Sequence, residues 1–99
     1  MPPDDIDLAC RLHDGAVGAR AQGNLEEAES LGRKALRLLE KAEGTAHPDV
    51  ANVLNHLGSV RADRGDYAEA ERLYQRAVRI MEQSSPALES TARVATGGN

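Results

Sequence analysis

The sequence has no phenylalanine and no tryptophan, and its aromatic side chains are Tyr67 and Tyr74 alone. Any core must therefore be built from Leu, Val, Ile and Ala. These side chains bury less area each than aromatic rings, so modest stability is expected. There is a single cysteine, Cys10, which excludes an intramolecular disulfide and fits a reducing compartment. There is no basic excess either. The 12 Lys and Arg are outnumbered by 16 Asp and Glu, for a net charge of -4. That argues against nucleic acid, whose phosphates call for a basic patch or stripe. No apolar run approaches the roughly 20 residues of a membrane span, so no membrane partner is expected. The opening "MPPDDIDLAC" places acids where a secretory leader would carry basic residues. With 99 residues, the chain reads as one soluble, cytoplasmic domain at most.

What the sequence does contain is a repeat. "GNLEEAESLGRKALRLLE" at residues 23–40 returns as "GDYAEAERLYQRAVRIME" at 65–82, an offset of 42. Eight of the 18 aligned positions are identical, among them Gly23/Gly65, Ala28/Ala70, Leu31/Leu73 and Ala35/Ala77. Self-similarity at a period between 20 and 50 residues marks a stacked repeat architecture.

Each copy reads as two helices joined by a tight turn. The clearest helix covers residues 48–64. Pro48 suits a first helical position, where its missing N–H costs nothing. Thr45 or His47 can cap it, Thr45 being the better capping type. At 100° per residue, Val50, Leu54, Leu57 and Arg61 share one side. Val53 and Val60 lie on one flank and Ala51 and Gly58 on the other. Asn52, Asn55, His56, Ser59 and Asp63 form the opposite strip. Such a helix is sandwiched between neighbours and shows water a single strip. The helix over 67–83 follows with Ala70, Leu73, Tyr74, Ala77, Ile80 and Met81 at i, i+3, i+4, i+7 spacing. Gly65-Asp66 between them is a turn signal.

In the first copy, the helix over 25–41 is well patterned and the one over 5–22 is weaker. Gly15 and Gly18 sit in its interior, each costing about 1 kcal/mol relative to Ala. Together with Gly32 they remove core volume, so the first copy is expected to be the softer end. The stretch 42–47 is a linker. From Ser85, Pro86 begins a short fifth helix over 86–95, which would cover the open end of the stack. Residues 96–99 form a tail. The fold class expected is all-α: two antiparallel helix hairpins, residues 5–41 and 48–83, plus that capping helix.

These residues resemble the tetratricopeptide repeat. The second copy supplies Leu54, Leu57-Gly58, Gly65, Tyr67, Ala70, Tyr74 and Ala77 at the family's spacing, with Arg61 in place of a usual aromatic. The first supplies Leu12, Ala16, Gly23, Leu25, Ala28 and Ala35, with Gly15 and Gly32 where large residues are usual. The long offset and "HPDVANVLNHLG" are similar to the kinesin-light-chain-like subclass. The resemblance spans about residues 6–83. It implies an interaction scaffold without catalysis, whose groove is lined by the first helix of each repeat and commonly holds an extended peptide. On that mapping Asn52, Asn55, His56, Ser59 and Asp63 line the groove, with Cys10, His13, Asp14, Val17 and Arg20 or Ala21 as their counterparts. Relatives of the subclass often carry Asn-Asn where this chain has Asn55-His56, and those amides bond peptide backbone. Others clamp a terminal carboxylate with Lys and Asn; His13 and Val17 stand at those places, so that clamp is not carried over.

Cys10, His13 and Asp14 share a helical face, with His56 on the neighbouring groove helix. The sharp readings are a metal site or a Cys–His nucleophile pair. The blander one, polar groove lining, is preferred: tight zinc-type spacing is missing, and nothing signals oxyanion donors. No cofactor and no metal are expected. Asn offers both donor and acceptor, which suits peptide backbone. Arg72, Arg76 and Arg79 neighbour Glu69, Glu71 and Glu82 and read as a solvated, salt-paired face. The leading expectation is a module that binds a protein or peptide partner. The second is a structural unit that self-associates into a homo-oligomer through its open ends. A remote third is an enzyme or metal protein using Cys10 and His13. Two repeats fall short of the three that such proteins usually need, so a fragment of a longer array, a self-associating unit or a domain ordered by its partner is expected.

Overall fold

The computed structural model describes residues 4–84; the short helix expected over 86–95 and the tail 96–99 lie outside them. Four helices follow one another: α1 (Asp5–Ala21), α2 (Leu25–Glu43), α3 (Pro48–Asp63) and α4 (Tyr67–Ser84). There is no strand among the described residues. α1 pairs with α2 and α3 with α4 as hairpins, and α3 packs on α2 to join them.

The two hairpin turns are built alike. At the end of α1 the Asn24 N–H donates to the Ala19 carbonyl (2.8 Å) and the Gly23 N–H to Arg20 (2.9 Å). At the end of α3 the Asp66 N–H donates to Arg61 (2.9 Å) and the Gly65 N–H to Ala62 (2.9 Å). Both are Schellman closures, which need a left-handed residue just past the helix. Gly23 and Gly65 supply it at φ 82° and 86°. The sequence offset of 42 is thus an offset of backbone geometry.

Two local expectations are corrected. Thr45 does not cap α3. The helix starts at Pro48, which places His47 at the capping position, and His47 Nδ1 accepts the Asp49 N–H at 3.1 Å. Thr45 lies too early to reach it, and α2 itself runs on to Glu43 before Gly44 (φ 87°) ends it. Nor does Gly32 leave a void. It is buried, and a Cβ there would lie 2.7 Å from Leu57 Cδ2. The volume given up by the first repeat is filled by a leucine of the second.

The core is aliphatic throughout. Ala9, Ala35, Leu39, Val50, Val53, Leu54, Leu57, Ala77 and Ile80 belong to one buried cluster. Ala19, Ala28 and Val60 form a smaller one beside Leu25. α3 carries the largest share, with Val50, Ala51, Val53, Leu54, Leu57, Gly58 and Val60 all buried. α1 buries only Ala9, Ala16 and Ala19. Gly58 lets α4 approach: a Cβ on it would lie 2.8 Å from Tyr74 Cε1.

Ion pairs cross the junction between hairpins. Glu29 on α2 accepts from Arg61 (2.8 Å) and Arg64 (3.1 Å). Arg76 pairs with Glu40, so this member of the expected solvated row reaches across to the other repeat instead. Arg61, placed by the wheel on the apolar side, is 25% exposed and keeps its charge paired with Glu29 and Asp66.

Candidate functional site

α1 and α3 touch along a seam, and the residues singled out from sequence lie on these two helices: Cys10, His13, Asp14, Val17 and Arg20 on α1, and Asn52, Asn55, His56, Ser59 and Asp63 on α3. Three regions with different chemistry follow one another along this seam.

At its waist His13 and His56 meet edge to face, with ring centroids 5.4 Å apart and planes at 85°. His13 Nδ1 and both nitrogens of His56 are buried without a hydrogen-bond partner among the described residues. Burial, then the neighbouring His13 and Arg20, push the His56 imidazole below its usual pKa, against a smaller opposing pull from Asp63. His56 is thereby held neutral.

At the C-terminal ends of the two helices, Arg20 grips Asp63 with two bonds, Nε to Oδ2 at 2.7 Å and Nη2 to Oδ1 at 3.4 Å. The guanidinium holds the Asp63 carboxyl below the usual carboxylate range. Val17 stands beyond the waist with 45% of its surface exposed. Ser59 differs from the expectation of a hydroxyl open to water. Its Oγ is 2.9 Å from Tyr74 Oη and bonds the Asn55 carbonyl at 3.2 Å. The reason is Gly58, whose missing side chain brings the Tyr74 ring close enough for its hydroxyl to reach α3.

At the N-terminal ends lies a concavity of about 410 Å³. Ala9, Leu39 and Val53 form its buried apolar floor. Cys10, His13 and Asp14 wall one side, Asp49 and Asn52 the other. The Cys10 thiol is pushed up by burial first and then by Asp49, Asp14, Asp7 and Glu43. A nucleophilic cysteine needs the opposite shift.

Of the residues singled out from sequence, Asn52 and Asn55 are exposed, and their side-chain amides bond no other described residue. They present donors and acceptors one turn apart along the strip. Sequence reasoning missed Asp49, which joins the pocket from the first turn of α3. It also missed a cluster at the α2–α3 corner. There Glu43 Oε2 lies 3.1 Å from His47 Nε2, and Asp49 Oδ2 lies 3.7 Å from His47 Nδ1. One ligand-type atom from each falls within 4.8 Å of the others. The available signal was Glu43 and His47 at i, i+4 across the helix end.

No helix among the described residues is long and apolar enough to cross a membrane. Comparison with curated proteins gave no match. A family model described as tetratricopeptide repeat matches residues 7–83. Because that span takes in both hairpins but for their outermost residues, the chain belongs to the tetratricopeptide repeat family.

Proposed function

We propose that this chain is an interaction module that holds an extended peptide or partner helix in the groove between α1 and α3. The family mediates protein–protein interaction and is typically a non-catalytic scaffold. The observation that carries the groove reading is the pair Asn52 and Asn55. Their exposed amides lie on a helix whose other faces are buried, and they suit main-chain groups better than phosphates or metals. No cofactor enters this function. The kinesin-light-chain-like subclass is the finer family reading, supported by the offset of 42 and by "HPDVANVLNHLG". A cytoplasmic setting is supported by the lone cysteine.

The test is a partner recovered by pull-down and titrated against variants. Asn55→Ala is expected to lose about 1–3 kcal/mol of binding, because peptide groups would be left buried and unpaired. Arg72→Ala, exposed on α4, is expected to bind as wild type. It is a cleaner control than Arg76→Ala, since Arg76 pairs with Glu40. Full binding by Asn55→Ala together with loss in Arg72→Ala would move the site to the other face.

A second reading, self-association through the open ends, rests on exposed apolar groups there. Val78 and Met81 on α4 are 53% and 42% exposed, and Leu8 on α1 is 40% exposed. Leu8 shares a shallow concavity with Leu12 and Leu38. Sedimentation at several protein concentrations separates the two readings.

A further inference from the structure

The groove is not electrically uniform. Asp63 is matched by Arg20 at one end, and Asp7, beyond the other, is matched by Arg11 at 3.4 Å. The pocket at the N-terminal ends is different. Asp14 and Asp49 face into it from opposite helices, and its lining contains no Lys or Arg. Glu43 lies behind Asp49; its Oε2 faces His47, and its Oε1 is buried without a hydrogen-bond partner among the described residues. Of the two imidazoles nearby, His13 lines the pocket itself, and His47 stands at the corner beside Asp49. His47 Nδ1 accepts the Asp49 backbone N–H and its Nε2 faces Glu43, and His47 is not among the residues that line the pocket.

Two further observations report the same imbalance. The Cys10 thiol is raised by four separate carboxylates, after burial. The Glu43 carboxyl is raised by burial and then by Asp49, against an opposing pull from His47. Beneath the carboxylates the pocket is apolar, floored by Ala9, Leu39 and Val53. A charged rim over an apolar floor fits a cation on a hydrocarbon stem, which lays its methylenes on the floor and its head among the acids. A bare metal ion would gain nothing from that floor; the ligand-type cluster of Glu43, His47 and Asp49 lies at the corner, and of the three only Asp49 lines the pocket. An acidic side chain would meet only like charge.

We propose that the groove recognises a basic peptide, with one lysine or arginine side chain seated in the pocket between Asp14 and Asp49. Asn52 lines the same pocket and Asn55 stands one turn along α3. The peptide backbone therefore leaves the pocket along the two amides while the basic side chain stays behind. This rests on the groove reading above and adds to it the chemistry of the anchor.

The probe is a displayed library of random dodecapeptides, panned against the full chain and against Asp14→Asn and Asp14→Asn/Asp49→Asn variants. The cap of α3 uses the backbone of Asp49 and the imidazole of His47, so it survives Asp49→Asn. Asp14→Asn alone serves if the double variant misfolds. Wild type is expected to enrich peptides with Lys or Arg at one fixed position. A synthetic winner should lose about tenfold or more in affinity when that residue becomes Met, and should weaken as salt rises. The Asp variants should lose the preference for Lys over Met, whereas Asn55→Ala should weaken both forms alike. Winners without a basic position that are nevertheless weakened by Asn55→Ala would overturn the anchor and leave the groove reading standing. Winners indifferent to Asn55→Ala and to Asp14→Asn, or no enrichment at all, would overturn both.

Discussion

Replacing one helix-interior glycine by alanine should change stability with opposite sign at two sites. Both Gly18 in α1 and Gly58 in α3 lie inside helices, and alanine there gains about 0.8–1.0 kcal/mol of helix propensity. A Cβ at Gly18 meets nothing within 4 Å, so Gly18→Ala should stabilise the chain by about 0.5–1 kcal/mol. At Gly58 the new Cβ would lie 2.8, 3.0 and 3.1 Å from Cε1, Cδ1 and Cζ of Tyr74. Overpacking of this kind costs about 1–3 kcal/mol. A displaced ring also loses its hydrogen bond with Ser59, a further ~0.5–1.5 kcal/mol. After the propensity gain, Gly58→Ala should be net destabilised by about 1–3 kcal/mol. Urea unfolding read by circular dichroism measures both, with an unchanged m-value as the check that the denatured state is the same. In a thermal melt each kcal/mol should appear as about 4–8 °C for a domain of this size. If Gly58→Ala is as stabilised as Gly18→Ala, Tyr74 moves aside at no cost and the close approach of α4 to α3 is not what Gly58 secures.

Three other outcomes follow from the geometry. The lowered pKa of His56 means that the unfolded chain binds the proton more readily. Stability should be full above the unfolded value of about 6.5 and decline as pH falls through it toward the lowered folded value. His56→Gln should flatten that decline in urea midpoints taken across the range. Ser59→Ala and Tyr74→Phe should each cost about 0.5–1.5 kcal/mol, and the double variant should cost less than their sum, since both remove one shared bond. Amide hydrogen exchange should be faster in α1, where three alanines are buried, than in α3, where seven residues are. Equal protection would reveal a contact holding α1 that lies outside the described residues.

The helices and turns were legible because each depends on near neighbours: apolar spacing within one helix, and a glycine where the backbone must turn left. The exposure of Asn52 and Asn55 was legible for the same reason. What was lost needed either a rotamer or a partner in the other repeat. The wheel places Ser59 on the polar side but cannot show that its hydroxyl turns to Tyr74. Gly32 looked like missing volume because Leu57, which fills it, is 25 positions away. Arg20 and Asp63 are 43 apart, one more than the repeat offset. That pair could be found only by asking which residues of successive first helices come level. The corner of Glu43, His47 and Asp49 was hidden by reading 42–47 as linker, when α2 in fact continues to Glu43.

The seating of Leu57 on Gly32 has a consequence for how the chain melts. Each hairpin closes over its own short turn, so most contacts are local in sequence and each hairpin can form or fray as a unit. In such a near one-dimensional stack, a nearest-neighbour interface term couples one unit to the next. Here that term is carried by a leucine in a glycine notch, the surrounding aliphatic contacts of α3 on α2, and the ion pairs of Glu29 and Glu40. Leu57→Ala should therefore change the shape of the transition as well as its midpoint. A single sharp melt would broaden toward two, with the α1–α2 hairpin leaving first and the α3–α4 hairpin persisting. On this reasoning the sharpness of the melt depends on the seam between the hairpins and not on either hairpin alone.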